Sequence, residues 1–192
     1  DRYASRGLGD VYKRQSFNTS SNLYSIEFPY KVHDIFNTYH DAVLLVDKGT
    51  KTVSSSVGHN LMNNHPFADK RFQIAQDNID KLSAILKNGD TSEFVKLVED
   101  EALMLHGLMM TSDPSYILIK SKTLQIIESI REFRSKNNIP VCFTLDAGAN
   151  VHVLFPDKYS DRVYDFIERD LKIYCENNSY IRDCVGFGAK QL

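Results

Sequence analysis

The chain has 192 residues, of which 42% are apolar and 25% charged, with a formal net charge of −2. That length fits one domain, or one domain with part of another, and buries roughly 70% of its unfolded surface, enough for a real core. Lys and Arg are spread without a basic run, which excludes a field for nucleic acid or an anionic membrane.

Apolar stretches such as Ala42 to Val46 fall far short of the ~20 residues of a membrane helix. Cys142, Cys175 and Cys184 are odd in number and lack metal-ligand spacing, so they read as free thiols of a reducing compartment. A cytoplasmic protein is the expectation.

In chain order, Asp1 to Gln15 (DRYASRGLGDVYKRQ) shows no clear apolar periodicity, and its DVYKRQ resembles a translated sequencing adaptor. Residues 1–15 are therefore expected to be non-native and are set aside. From Leu23, alternation of Tyr24, Ile26 and Phe28 predicts a half-buried strand ending at Pro29. The β-prone run from Asp41 to Asp47 predicts a strand covered on both faces, closed by a turn at Lys48-Gly49.

Three helices follow the loop of residues 54–65. The first opens at Pro66 and ends at Asn88-Gly89, with Phe72, Ala75, Ile79, Leu82 and Leu86 expected inward. The second opens on Asp90 with Glu93 three residues on, and carries Phe94, Val98, Ala102 and Leu105. The third runs from about Ser121 to Lys136, with Leu124, Ile127, Ile130 and Phe133 inward.

Pro140 to Leu145 then predicts a strand, Asp146 to Asn150 a tight turn and Val151 to Phe155 the return strand. A fourth helix over about Asp161 to Cys175 and a strand near Arg182 to Phe187 complete the order. The fold class is α+β: one antiparallel sheet covered by helices on one side.

Two glycine-containing loops could carry chemistry, Val53 to His59 and Thr144 to Asn150. Serine hydroxyls and amides beside a glycine can donate to phosphate oxygens, because glycine lets the backbone approach closely. Taken alone, a polar loop capping the next helix is the simpler reading. Asp146, at the end of an apolar strand, could orient a substrate hydroxyl or accept its proton; it could equally be a turn residue bonded to its own backbone. His59, His65 and His106 lack the spacing of a zinc site. Met104, Met109 and Met110 fit a core or a pocket wall.

Three motifs in order carry a resemblance over nearly all of residues 23–192. Phe143-Thr-Leu-Asp146-Ala-Gly148-Ala-Asn150 is close to the Phe-Thr-x-Asp-Ala-Gly-Pro-Asn signature of the diphosphomevalonate decarboxylases, of the GHMP kinase superfamily. Ser54-Ser-Ser-Val-Gly58-His59 resembles that family's Ser-Ser-x-x-Gly-Met loop, and Glu101 to His106 its glutamate-to-histidine helix segment.

The resemblance implies a ferredoxin-like GHMP kinase C-terminal domain over residues 41–192, preceded in 16–40 by the end of the N-terminal domain. It implies ATP and Mg²⁺ as cofactors, phosphorylation of the 3-hydroxyl of mevalonate 5-diphosphate, and loss of phosphate with CO₂ to give isopentenyl diphosphate. Asp146 would be the catalytic carboxylate. Ser54, Ser55 and Ser56, with Gly58, Ala147 and Gly148, would bind substrate. Family members are commonly homodimers.

Ala149 stands where the family has Pro, and His59 where it has Met, which bears on the substrate more than on the reaction type. The family's nucleotide loop has no counterpart in these residues, so its cofactor-binding residues are not assigned, and the chain alone is expected to bind ATP poorly and to be inactive. The alternatives are a GHMP-type small-molecule kinase, a phosphomevalonate decarboxylase, or a non-enzymatic ferredoxin-like binding module. A binding module has no need of a carboxylate at Asp146.

Overall fold

In the computed structural model, residues 31–49 and 65–186 are described. The expected strand near Tyr24 and the serine loop lie outside them. Four strands form one antiparallel sheet in the order β2-β3-β1-β4: β1 (Tyr39–Leu44), β2 (Cys142–Leu145), β3 (Val151–Pro156) and β4 (Tyr180–Cys184). Between β1 and β2 run α1 (Ala68–Asn88), α2 (Thr91–Met110) and α3 (Ser121–Asn137), and α4 (Ser160–Phe166) follows β3. The sheet-and-helix class expected from the order of elements is the one observed.

Side chains alternate across a strand, so register divides the sheet into two faces. Ala42, Leu44, Phe143, Leu145, Val151, Val153 and Phe155 share one face and pack on Ile126, Ile127 and Ile130 of α3 and on Val163 and Phe166 of α4. This is the main core, and it lies on one side of the sheet. The chain beyond α4 widens into a π turn over Ile167–Leu171, which keeps both Ile167 and Leu171 buried against it, so the expected regular helix to Cys175 is broken.

The other face carries Tyr39, Asp41 and Val43 of β1, Cys142 and Thr144 of β2, and His152 and Leu154 of β3. Its Tyr39 end is closed by Phe36, by Leu82, Ile85 and Leu86 of α1, and by Phe94 and Val95 of α2. Away from that end the face is polar, and on edge strand β4 Ile181, which pairs with Val43, is exposed. The strand expected to be covered on both faces is therefore fully covered on one. Asp41 and Val43 are half-buried, and β1 ends at Leu44.

Local signals explain the helix ends. Asp90 accepts from the N–H groups of Ser92 and Glu93 to start α2. Gly89 ends α1 at φ 78°, where a Cβ would come within 2.7 Å of the His33 ring, so only glycine fits.

Two inward assignments, Phe72 and Leu124, are corrected, and the stripe on α2 is borne out in part. Phe72 is exposed, because at that end of α1 Arg71 and Asn78 turn to α2 and bond Glu101. Leu124 is exposed, and Ile126 fills the core instead. On α2 Phe94 and Ala102 are buried as expected and Val98 and Leu105 only partly, while Val95, Glu99, His106, Leu108 and Met109 are buried as well.

Candidate active site at the end of β2

Asp146 leaves β2 at the polar end of the second face, where the chain turns back into β3. The turn is fastened through its main chain. Gly148 N–H donates to the Asp146 carbonyl at 2.7 Å, and His106 Nε2 from α2 donates to the same oxygen at 3.1 Å. Thr123 Oγ1 from α3 donates to the Ala149 carbonyl at 2.7 Å. Asn150 Oδ1 accepts from Asp47 N–H at 2.9 Å, tying the turn to the end of β1. Asp47 is in turn paired with Lys120 Nζ at 2.5 Å, and that bond holds its carboxyl below the usual range.

Burial disfavours a charged His106 and lowers its pKa below the ordinary value, against the smaller opposing pull of Asp146. A neutral ring that donates from Nε2 has Nδ1 as an acceptor, which fixes the tautomer. Thr123 has a double role, since its hydroxyl also accepts the Lys120 N–H at the start of α3. Thr123→Val leaves the buried Ala149 carbonyl without its donor and is expected to lower unfolding stability by about 1–3 kcal/mol. Urea denaturation of the chain reads that change.

The carboxylate of Asp146 stands in a row of three titratable groups. Asp41 Oδ2 and Oδ1 lie 2.9 and 3.1 Å from His152 Nδ1, and Asp146 Oδ2 lies 3.8 Å from His152 Nε2. The first contact is hydrogen-bonded; the second is an ion pair longer than a hydrogen bond. Burial opposes charge on His152, but the carboxylates of Asp146 and Asp41 outweigh it and raise the ring to about 9.

His152 is thus a cation at neutral pH. A histidine with a raised folded-state pKa stabilises fully below its unfolded value near 6.5, and that contribution disappears as pH rises through about 9. Unfolding free energy of the chain is expected to fall by on the order of 3 kcal/mol between pH 6.5 and 9.5. Urea titrations at the two pH values measure it, and His152→Gln flattens the difference.

Of the residues singled out in the sequence, Asp146, Ala147 and Gly148 are brought together in this turn, while Ser54, Ser55, Ser56 and Gly58 lie outside the described residues. Gly148 is not left-handed, and the space where a Cβ would sit is open for 4 Å. Its backbone conformation therefore does not require glycine. Asp41, His152, Thr123 and the contact from His106 were not foreseen. The available signals were a histidine inside an apolar strand and a histidine in register with Ala102 on α2.

Among the described residues, no group of three or more His, Cys, Asp or Glu side chains is arranged to hold a metal ion. No helix among them is long and apolar enough to cross a membrane.

A polar turn on a helix-backed sheet, with a carboxylate at its mouth, can be set against known families. The family model for the mevalonate 5-diphosphate decarboxylase C-terminal domain matches residues 42–186, well over half of the chain. The chain belongs to this family.

Mevalonate diphosphate decarboxylase from Staphylococcus aureus matches in structure with a TM-score of 0.73 at 20% identity, covering 85% of this chain and 48% of that one. A complex described as MDDEF with MVAPP, AMPPCP and magnesium matches with a TM-score of 0.72 at 22% identity, covering 84% and 48%. At such identity these two show the fold, that of the GHMP kinase C-terminal domain. In sequence, phosphomevalonate decarboxylase of Haloferax volcanii is 27% identical over 89 residues, which are 46% of this chain and 28% of that protein. The chain spans about half the length of the solved decarboxylases it resembles.

Proposed function

We propose that this chain is the C-terminal half of an ATP-dependent mevalonate 5-diphosphate decarboxylase, with residues 41–192 as its GHMP-type C-terminal domain. The observation that carries the reading is the placement of Asp146. It lies at the open end of a polar sheet face, in a turn held by hydrogen bonds to the Asp146 and Ala149 carbonyls and to the Asn150 side chain. A carboxylate on a fixed turn can orient the tertiary 3-hydroxyl and accept its proton. Phosphorylation turns that hydroxyl into a leaving group, and electrons from the breaking carboxylate bond then form the alkene as CO₂ departs.

Ala147 and Gly148, with open space beside Gly148, line the approach to Asp146. Ser54, Ser55, Ser56 and Gly58 are proposed to bind the anionic end of the substrate. ATP and Mg²⁺ are the proposed cofactors, in keeping with the relative bound to AMPPCP and magnesium. The described residues offer no metal-binding donor set, so no step is assigned to Mg²⁺ on them.

The Haloferax relative favours a second reading, a decarboxylase acting on mevalonate 5-phosphate. The two are separated by CO₂ release from each substrate with the complete polypeptide that carries this chain. A higher kcat/KM for the diphosphate supports the first reading, and a higher value for the monophosphate replaces it with the second.

A further inference from the structure

Three features of the Asp41–His152–Asp146 row call for explanation. Asp41 and His152 are diagonal neighbours on adjacent strands, since Asp41 pairs with Leu154 and Val43 with His152. Their side chains are 13% and 8% exposed, whereas that of Asp146 is 39% exposed, so the row runs from the interior to the open end of the face. A buried imidazolium also needs an acceptor for each N–H, and a carboxylate faces each nitrogen.

We propose that His152 is a positioning residue that steadies the Asp146 carboxylate toward the substrate, and that Asp41 acts one step behind it by fixing the ring. The proposal rests on the reading of Asp146 as the group that meets the substrate hydroxyl. His152 stands between two carboxylates, hydrogen-bonded to Asp41 and 3.8 Å from Asp146, with Asp146 at the exposed end, where a hydroxyl proton would be accepted. A fixed ring 3.8 Å away also restricts the rotation of the Asp146 carboxylate.

Other titratable groups stand farther along the same face. Tyr39 and Cys142 lie toward its closed end, and Asp183 of β4 is paired in register with Asp41. From α2, His106 donates to the Asp146 main-chain carbonyl and also feels the charge of its carboxylate.

The test has two readouts. In ¹⁵N NMR of the chain, both ring nitrogens of His152 stay protonated through neutral pH, and Asp41→Asn and Asp146→Asn each lower the titration midpoint by at least about one unit. A midpoint near the ordinary value that neither substitution moves overturns the row. In the complete enzyme, Asp41→Asn and His152→Asn lower kcat by roughly tenfold or more with a smaller change in KM, and Asp41→Asn moves the alkaline limb of the pH profile toward neutrality.

His152→Asn can keep a bond to Asp41, so its melting temperature separates lost positioning from lost folding. Asp146→Asn lies at the exposed end and reports by NMR even where the buried substitutions unfold the domain. If both buried variants fold and keep wild-type kcat while Asp146→Asn is inactive, the positioning role is wrong and the decarboxylase reading stands. If Asp146→Asn itself turns over normally, that reading and the row's purpose fall together.

Discussion

Asp146→Asn in the complete enzyme is expected to lower kcat for CO₂ release by about 10²- to 10⁴-fold, the range for loss of a positioned general base. Asparagine keeps the size of the side chain but carries no charge and does not take up a proton at neutral pH. The turn keeps its anchors from His106, Thr123, Gly148 and Asn150, which act through the main chain or through neighbouring residues, while the ion pair with His152 is lost. KM should therefore move much less than kcat. Steady-state kinetics and a thermal melt of the same preparation check both halves of the expectation. A kcat within about threefold of wild type would remove Asp146 from the chemistry.

The second large effect lies away from the site. Glu99 of α2 is buried, with its side chain 5% exposed, and its carboxylate is held mainly by Arg134 of α3. Arg134 Nη1 and Nη2 donate to the two carboxylate oxygens at 2.5 and 3.1 Å, and Nη1 also donates to the Val141 carbonyl at 2.8 Å. Arg131 adds one longer contact at 3.3 Å.

Arg134→Met would leave a buried carboxylate with that single weak partner and the Val141 carbonyl without this donor. The expected loss is about 3–5 kcal/mol of unfolding free energy, measured by urea denaturation of the chain. The double substitution Glu99→Gln with Arg134→Met should cost less than Arg134→Met alone, because the uncompensated charge is gone. A double variant no more stable than the single would show that the lost stability is packing rather than charge.

The sequence disclosed elements better than it disclosed pairings. Gly89 and Asp90 marked the junction of α1 and α2 because cap chemistry is local. Asp146 was visible because a carboxylate after an apolar strand is conspicuous, and because the motif around it resembles a family signature. Phe72 and Leu124 were misplaced because helical spacing defines a stripe only to within a turn. Which neighbour a stripe meets is decided by tertiary packing, here by Arg71 and Asn78 bonding Glu101.

The partners of Asp146 were illegible for a different reason. Asp41 and His152 are 111 positions apart and meet only once the antiparallel register of β1 and β3 is fixed. Glu99 was not singled out, and His106 was weighed only for zinc spacing and as part of a family motif; their burial follows from how α2 lies against α3 and the end of β2.

The most direct measurement follows ADP and CO₂ together from mevalonate 5-diphosphate and Mg-ATP, using the complete polypeptide that carries this chain. Both are expected to appear in equal amounts and at the same rate. ADP without CO₂ would make the protein a kinase that stops at the phosphorylated alcohol, and not a decarboxylase.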